Sequence, residues 1–137
     1  MDIKVTRDVM EQMAGAAANA HPNKACGILL GQGGLLGQGG HITAFQRVDN
    51  VHPTPETHFE IDPRALIAAH KNQREGGLSV VGYFHSHPIG AAKPSSTDAS
   101  MATGDGRIWA IAGQGETAFW ADLSVGFTAC AYSLVDE

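Results

Sequence analysis

LSVVGYFHSHPIGAAKPSSTD, residues Leu78 to Asp98, is the stretch on which the reading of this chain turns. Leu78 to Phe84 is rich in β-branched and aromatic residues and predicts a strand. It runs directly into His85-Ser86-His87-Pro88. In an extended segment, residues two apart face the same side with Cα atoms about 6.5 Å apart, so His85 and His87 project in parallel. Two imidazoles can then meet one metal ion. A catalytic zinc takes a third protein ligand and keeps its fourth position for water. Asp98 is the natural candidate. Residues 88–97 form a loop able to return the chain, and a short helix expected from near Ser95 to Gly104 can turn a carboxylate toward the strand end. A lone H-x-H carries little, because histidines at strand ends often do no more than hydrogen-bond. The full string H-S-H-P-x6-S-x-x-D fixes four residue types at definite spacing, which chance seldom produces.

Outward from this stretch, the chain alternates helical and strand signals. Thr6 can cap a first helix, with Val5 stapling onto Met10, and Val9, Met10, Met13, Ala17 and Ala20 make one apolar stripe before Pro22 stops it. Cys26 to Gly31 reads as a buried strand. The glycine-rich run Gly31 to Gly40 reads as a flexible hairpin connection, since it lacks the lysine of a phosphate loop and leads into no helical pattern. His41 to Asp49 is the return strand. Asp62 and Pro63 open a second helix that should reach about Glu75, where Gly76 and Gly77 end it. Arg107 to Ala112, Thr117 to Asp122 and Phe127 to Leu134 read as three closing strands. The expected class is α/β (α+β), a curved mixed sheet flanked by two main helices plus a short helix after the H-x-H strand.

With 137 residues and 43% hydrophobic content, the chain is expected to form one domain, residues 1–137, around one core. Its net charge of -5 argues against nucleic acid and anionic membranes as partners. No apolar run is long enough to cross a bilayer, and a cytoplasmic protein is expected. Cys26 and Cys130 read as buried free thiols, and without a C-x-x-C pair there is no zinc ribbon or redox motif. His21, His41, His52, His58 and His70 read as solvated or locally bonded, with His58 able to line the cleft if Thr57 to Asp62 passes the metal.

The string His85-Ser86-His87-Pro88 through Pro94-Ser95-Ser96-Thr97-Asp98 resembles the signature of the JAMM (MPN-domain) zinc metallopeptidases, and HPNKACGILLG, His21 to Gly31, resembles that family's first strand. The resemblance covers nearly the whole chain. It implies a cytidine-deaminase-like architecture, with zinc held by His85, His87 and Asp98. It also implies that Ser95 positions the scissile carbonyl and stabilises its oxyanion. A serine three residues before Asp98 at a helix start also suits an N-cap.

The resemblance breaks at one position. The family's general base is a glutamate two residues before Cys-Gly, and Lys24 stands there in Asn23-Lys24-Ala25-Cys26-Gly27. A protonated lysine has no lone pair to accept a proton and repels a dication. Three accounts follow: a catalytically disabled chain, a substitute carboxylate such as Glu56 or Glu60, or a neutralised Lys24 acting as base. The first is preferred.

The activity implied is hydrolysis of peptide or isopeptide bonds at the C-terminal tail of a ubiquitin-like or sulfur-carrier protein. The alternative is an inactive module that holds such a tail. A homodimer is left open. A metal-dependent phosphoester hydrolase is disfavoured by the acidic balance and by the absence of an Asp-His following the H-x-H.

Overall fold

In the computed structural model, which describes residues 2–33 and 39–136, the elements run β1 (Asp2–Thr6), α1 (Arg7–Ala20), β2 (Cys26–Gln32), β3 (His41–Val48), α2 (Pro63–Arg74), β4 (Ser79–Ser86), α3 (Ser96–Met101), β5 (Ile108–Gly113), β6 (Glu116–Leu123) and β7 (Gly126–Val135). Both helix starts follow local chemistry. Thr6 Oγ1 accepts the Val9 N–H at the head of α1, and Asp62 accepts the Arg64 N–H at the head of α2, where Pro63 takes the first helical position. The glycine-rich connection lies in part outside the described residues, at 34–38.

The curved mixed sheet and three helices expected from the sequence are present, and the sheet curves far enough to close on itself. The strands close into a barrel in the order β1-β3-β2-β4-β5-β6-β7. Closure depends on β1, which the sequence reading passed over because Thr6 is both the last strand residue and the cap of α1. β1 pairs in parallel with β7 from Asp2↔Ala131 to Thr6↔Val135, and with β3 at Lys4↔His41 and Val5↔Ile42. A sheet closed this way has no free edge.

Two apolar clusters position the site. α1 lays Val9, Met13 and Ala16 over Ile3, Val5, Leu29, Phe84, Ile108 and Phe119. On the other face, α2 brings Ala69 toward Cys26, Ile28, Val80, Phe59 and Trp109. Strict alternation along β4 would put Val81 and Phe84, three residues apart, on opposite faces. They share one cluster because the pairing of β2 with β4 slips between Leu29 and Leu30, a bulge that passes over Val81. Beyond the slip, Phe84 faces one cluster while Tyr83 and His85 face the other. Gly82 is required where β4 meets β5, since a Cβ there would lie 1.7 Å from the Ile108 carbonyl oxygen. Cys26 and Cys130 are free and buried. Among the described residues no helix is long and apolar enough to cross a membrane.

Candidate metal centre

His85, His87 and Asp98 converge. His85 Nε2 lies 3.1 Å from His87 Nε2 and 3.2 Å from Asp98 Oδ2, and His87 Nε2 lies 3.0 Å from the same oxygen. The triangle is nearly equilateral. Ligands at bond lengths of about 2.0–2.1 Å around a tetrahedral ion would stand about 3.3 Å apart, so these edges suit one small cation. The group is deeply buried: His85 and Asp98 have no exposed surface and His87 is 9% exposed.

Each ligand is held from behind. His85 lies flat against Phe59 at 4.3 Å between ring centroids, with the edge of Trp109 at 5.7 Å. His87 Nδ1 sits 2.9 Å from the Ala91 carbonyl oxygen; a carbonyl only accepts, so Nδ1 carries the proton and Nε2 of the neutral ring presents a lone pair. Asp98 is locked by a capping box at the head of α3, in which Ser95 Oγ accepts the Asp98 N–H at 3.1 Å and Asp98 Oδ2 accepts the Ser95 N–H at 3.0 Å. Among the described residues two buried side-chain atoms lack a hydrogen bond, His85 Nδ1 and Asp98 Oδ1, the latter 3.1 Å from His85 Nε2. A buried carboxylate oxygen without a hydrogen bond, beside two imidazole nitrogens, fits a cation better than it fits a polar core.

The electrostatics agree. Burial lowers the His85 pKa, against the hydrogen bond and charge of Asp98, and the neutral ring is the form that ligates. Burial works to raise the Asp98 pKa, but hydrogen bonds from His85 and His87 outweigh it and keep the group well below the usual carboxylate range.

Lys24 is not the bystander its surface-type side chain suggests. It is only 8% exposed, its charge is felt by His85, and it feels the charge of Asp98. Burial lowers its pKa, while Asp98 opposes that shift. Its backbone is clamped by the loop after β3. Lys24 N–H donates to Pro55 O at 2.8 Å, and its carbonyl accepts from Asn50 Nδ2 at 3.1 Å. Asn50 also donates to His58 O and accepts the His52 and Glu60 N–H groups, so one amide ties the loop together. Ser86 Oγ, between the two histidines, accepts the Ala25 N–H.

Lys24 and Ser95 line one cleft of about 490 Å³, with Glu56, Thr57, Pro88 and Thr97. Ser95 spends its lone pair on the Asp98 N–H, and among the described residues no acceptor takes its own proton. Glu60, by contrast, lines a separate cavity with Tyr83 and Trp109. The Thr57–Asp62 segment does pass the histidines, but it sets Phe59 against His85 while His58 stacks on His52 and bonds to Thr54 and Thr57. The aromatic brace of Phe59 and Trp109 and the Asn50 clamp escaped sequence reading, for each depends on contacts between segments far apart in the chain.

Comparison with known proteins places this geometry. Residues 6–122 match the family described as prokaryotic homologs of the JAB domain. The desampylase of Haloferax volcanii is 32% identical over 95 residues, 69% of this chain and 66% of that protein. A probable TtuB-protein conjugate cleaving protease of Thermus thermophilus is 49% identical over 49 residues, 36% of this chain and 33% of that protein. The matched stretches thus span less than two thirds of those relatives' own lengths. A protein of Desulfitobacterium hafniense solved in solution superposes with a TM-score of 0.84 at 29% identity, covering 98% of this chain and 94% of that one. The chain belongs to the prokaryotic JAB-domain family, as a small domain of JAMM/MPN type.

Proposed function

We propose that this chain is a single-domain, zinc-dependent metallopeptidase or isopeptidase of JAMM type, on a cytidine-deaminase-like architecture, acting at the C-terminal tail of a ubiquitin-like or sulfur-carrier protein. Its turnover is held down by Lys24. The observation that carries this reading is the buried triangle of His85, His87 and Asp98, whose carboxylate keeps one oxygen without a hydrogen bond. The names of the two relatives, one a conjugate-cleaving protease, support the reaction class.

Zinc bound there would supply a water acidified to a pKa of about 7 and a Lewis acid for a carbonyl. The chain's own residues do the rest. Phe59 and Trp109 fix the plane of His85, Ala91 O fixes the tautomer of His87, and the capping box aims Asp98. The Ser95 O–H is free to donate to a carbonyl oxygen in the cleft while its lone pair still caps α3. Protonated Lys24 offers no lone pair where the reaction needs a proton acceptor. Among the described residues that line the cleft, Glu56 is the carboxylate able to take a proton in its place.

The test pairs metal content with turnover. One equivalent of zinc per chain is expected, lost in His87→Ala. Cleavage of a fusion at a Gly-Gly tail should be slow in the chain as it stands and at least about a hundredfold faster in Lys24→Glu, the lower end of the usual contribution of a general base. Equal rates in the two proteins would defeat the assignment of Lys24. The second reading, an inactive module that holds the tail, is favoured by the burial of Lys24 against the site, and zinc binding with no cleavage even in Lys24→Glu would select it.

A further inference from the structure

A buried ammonium normally has an acceptor, because desolvating a charge without one is costly. Lys24 is only 8% exposed, what access remains includes its ammonium, and among the described residues that ammonium has neither a hydrogen bond nor an ion pair. A flexible lysine usually escapes such a position by swinging to solvent. Here the residue is clamped at both its N–H and its carbonyl, and its side chain borders the cleft that holds Ser95 and Thr97. The charge of Asp98 reaches Lys24, but the two side chains form no ion pair. Glu56 lines the cleft but is exposed and makes no ion pair with Lys24. With a dication between the histidines, positive charge in the cleft would outweigh negative.

We infer, resting on the proposed reading of the site, that Lys24 makes this cleft a receptor for the free C-terminal carboxylate of a peptide tail, so that the site holds the product end of a cleavage rather than the intact bond. A carboxylate has two oxygens and a full charge. One oxygen can meet the ammonium while the Ser95 and Thr97 hydroxyls, which line the same cleft, are donors for the other. The carbonyl of an intact amide offers one neutral oxygen and leaves the lysine unanswered. Pro22, Pro88 and the fully projecting Ile89 border the same cleft and give a tail apolar contacts that an inorganic anion cannot use. The residue that handicaps hydrolysis is therefore the one that retains its product.

The experiment is fluorescence anisotropy with a labelled six-residue peptide ending in Gly-Gly, as free carboxylate and as C-terminal amide, on zinc-loaded and zinc-free protein. Wild type should bind the carboxylate form about tenfold more tightly, the worth of one charge-assisted hydrogen bond. Lys24→Arg should keep the preference, and Lys24→Met, checked for folding by its melting curve, should reduce it to near unity. Equal affinity for the two peptides in wild type overturns the inference, as does an undiminished preference in Lys24→Met. Displacement of the peptide by inorganic phosphate at the peptide's own concentration would overturn the tail as ligand. One equivalent of zinc without any carboxylate preference defeats this inference alone and leaves the metal centre standing. Absence of zinc with the preference intact defeats the metal centre alone.

Discussion

Cys26 stands directly across from His85 in the β2–β4 ladder, so its thiol lies one strand from the metal centre, in the cluster that braces it. Sγ contacts the Val48 carbonyl oxygen at 3.5 Å. Burial, with the charge of Asp49 adding and that of Arg47 opposing, pushes its pKa from 9.0 up to about 12. A thiol raised this way is inert as a nucleophile, and native protein should resist iodoacetamide at pH 8 on Cys26 while unfolded protein is labelled. The sign of the pH effect follows from linkage. The folded state favours the neutral thiol, so the stability this confers is complete below pH 9 and is lost as pH rises toward 12. The difference in unfolding free energy between wild type and Cys26→Ala should therefore shrink from pH 9 to pH 11. A constant difference would show that burial does not govern this thiol.

The elements that aim the ligands differ in how openly the sequence announces them. The two-residue spacing of His85 and His87 needs only the strand period, and Ser95-x-x-Asp98 is a helix-start pattern whose carboxylate turns back by construction. Both could be seen without a fold, and the structure brings the three side chains together as that spacing implied. The parity change in β4 could not be seen, because a bulge is a property of two strands and leaves no mark on one. The burial of Lys24 was hidden for the same reason: it depends on a loop some thirty residues downstream, through the bond from its N–H to Pro55. Two substitutions probe this scale. Ser95→Ala removes the cap of α3 and should cost about 1 kcal/mol in urea unfolding, with weaker zinc retention because Asp98 loses its lock. Ser86→Ala strands the buried Ala25 N–H next to Lys24 and should cost roughly 1–3 kcal/mol. No change in stability for Ser86→Ala would mean that water replaces the hydroxyl and that the β2 entry is looser than the structure has it.

At the scale of the whole molecule, the barrel closes through a five-residue strand that reads in sequence as the lead-in to a helix. Ile3 and Val5 carry that closure, since both are completely buried in the cluster under α1 while Asp2 and Lys4 face out. β1 touches β3 and β7 but is not hydrogen-bonded to β4, the strand that presents the histidines. Closure and metal site are thus mechanically separable, and a test can ask whether they are energetically so. Ile3→Ala should lower the unfolding free energy by about 2–5 kcal/mol, the usual cost of emptying a core position that cannot collapse. In conditions where the variant is still folded, its zinc affinity should equal that of wild type, because Phe59, Trp109, Ala91 and the α3 cap hold the ligands independently of β1. A parallel loss of zinc affinity would show that the ring of strands transmits strain around its circumference, and that the ligands are set by the barrel rather than by their immediate neighbours.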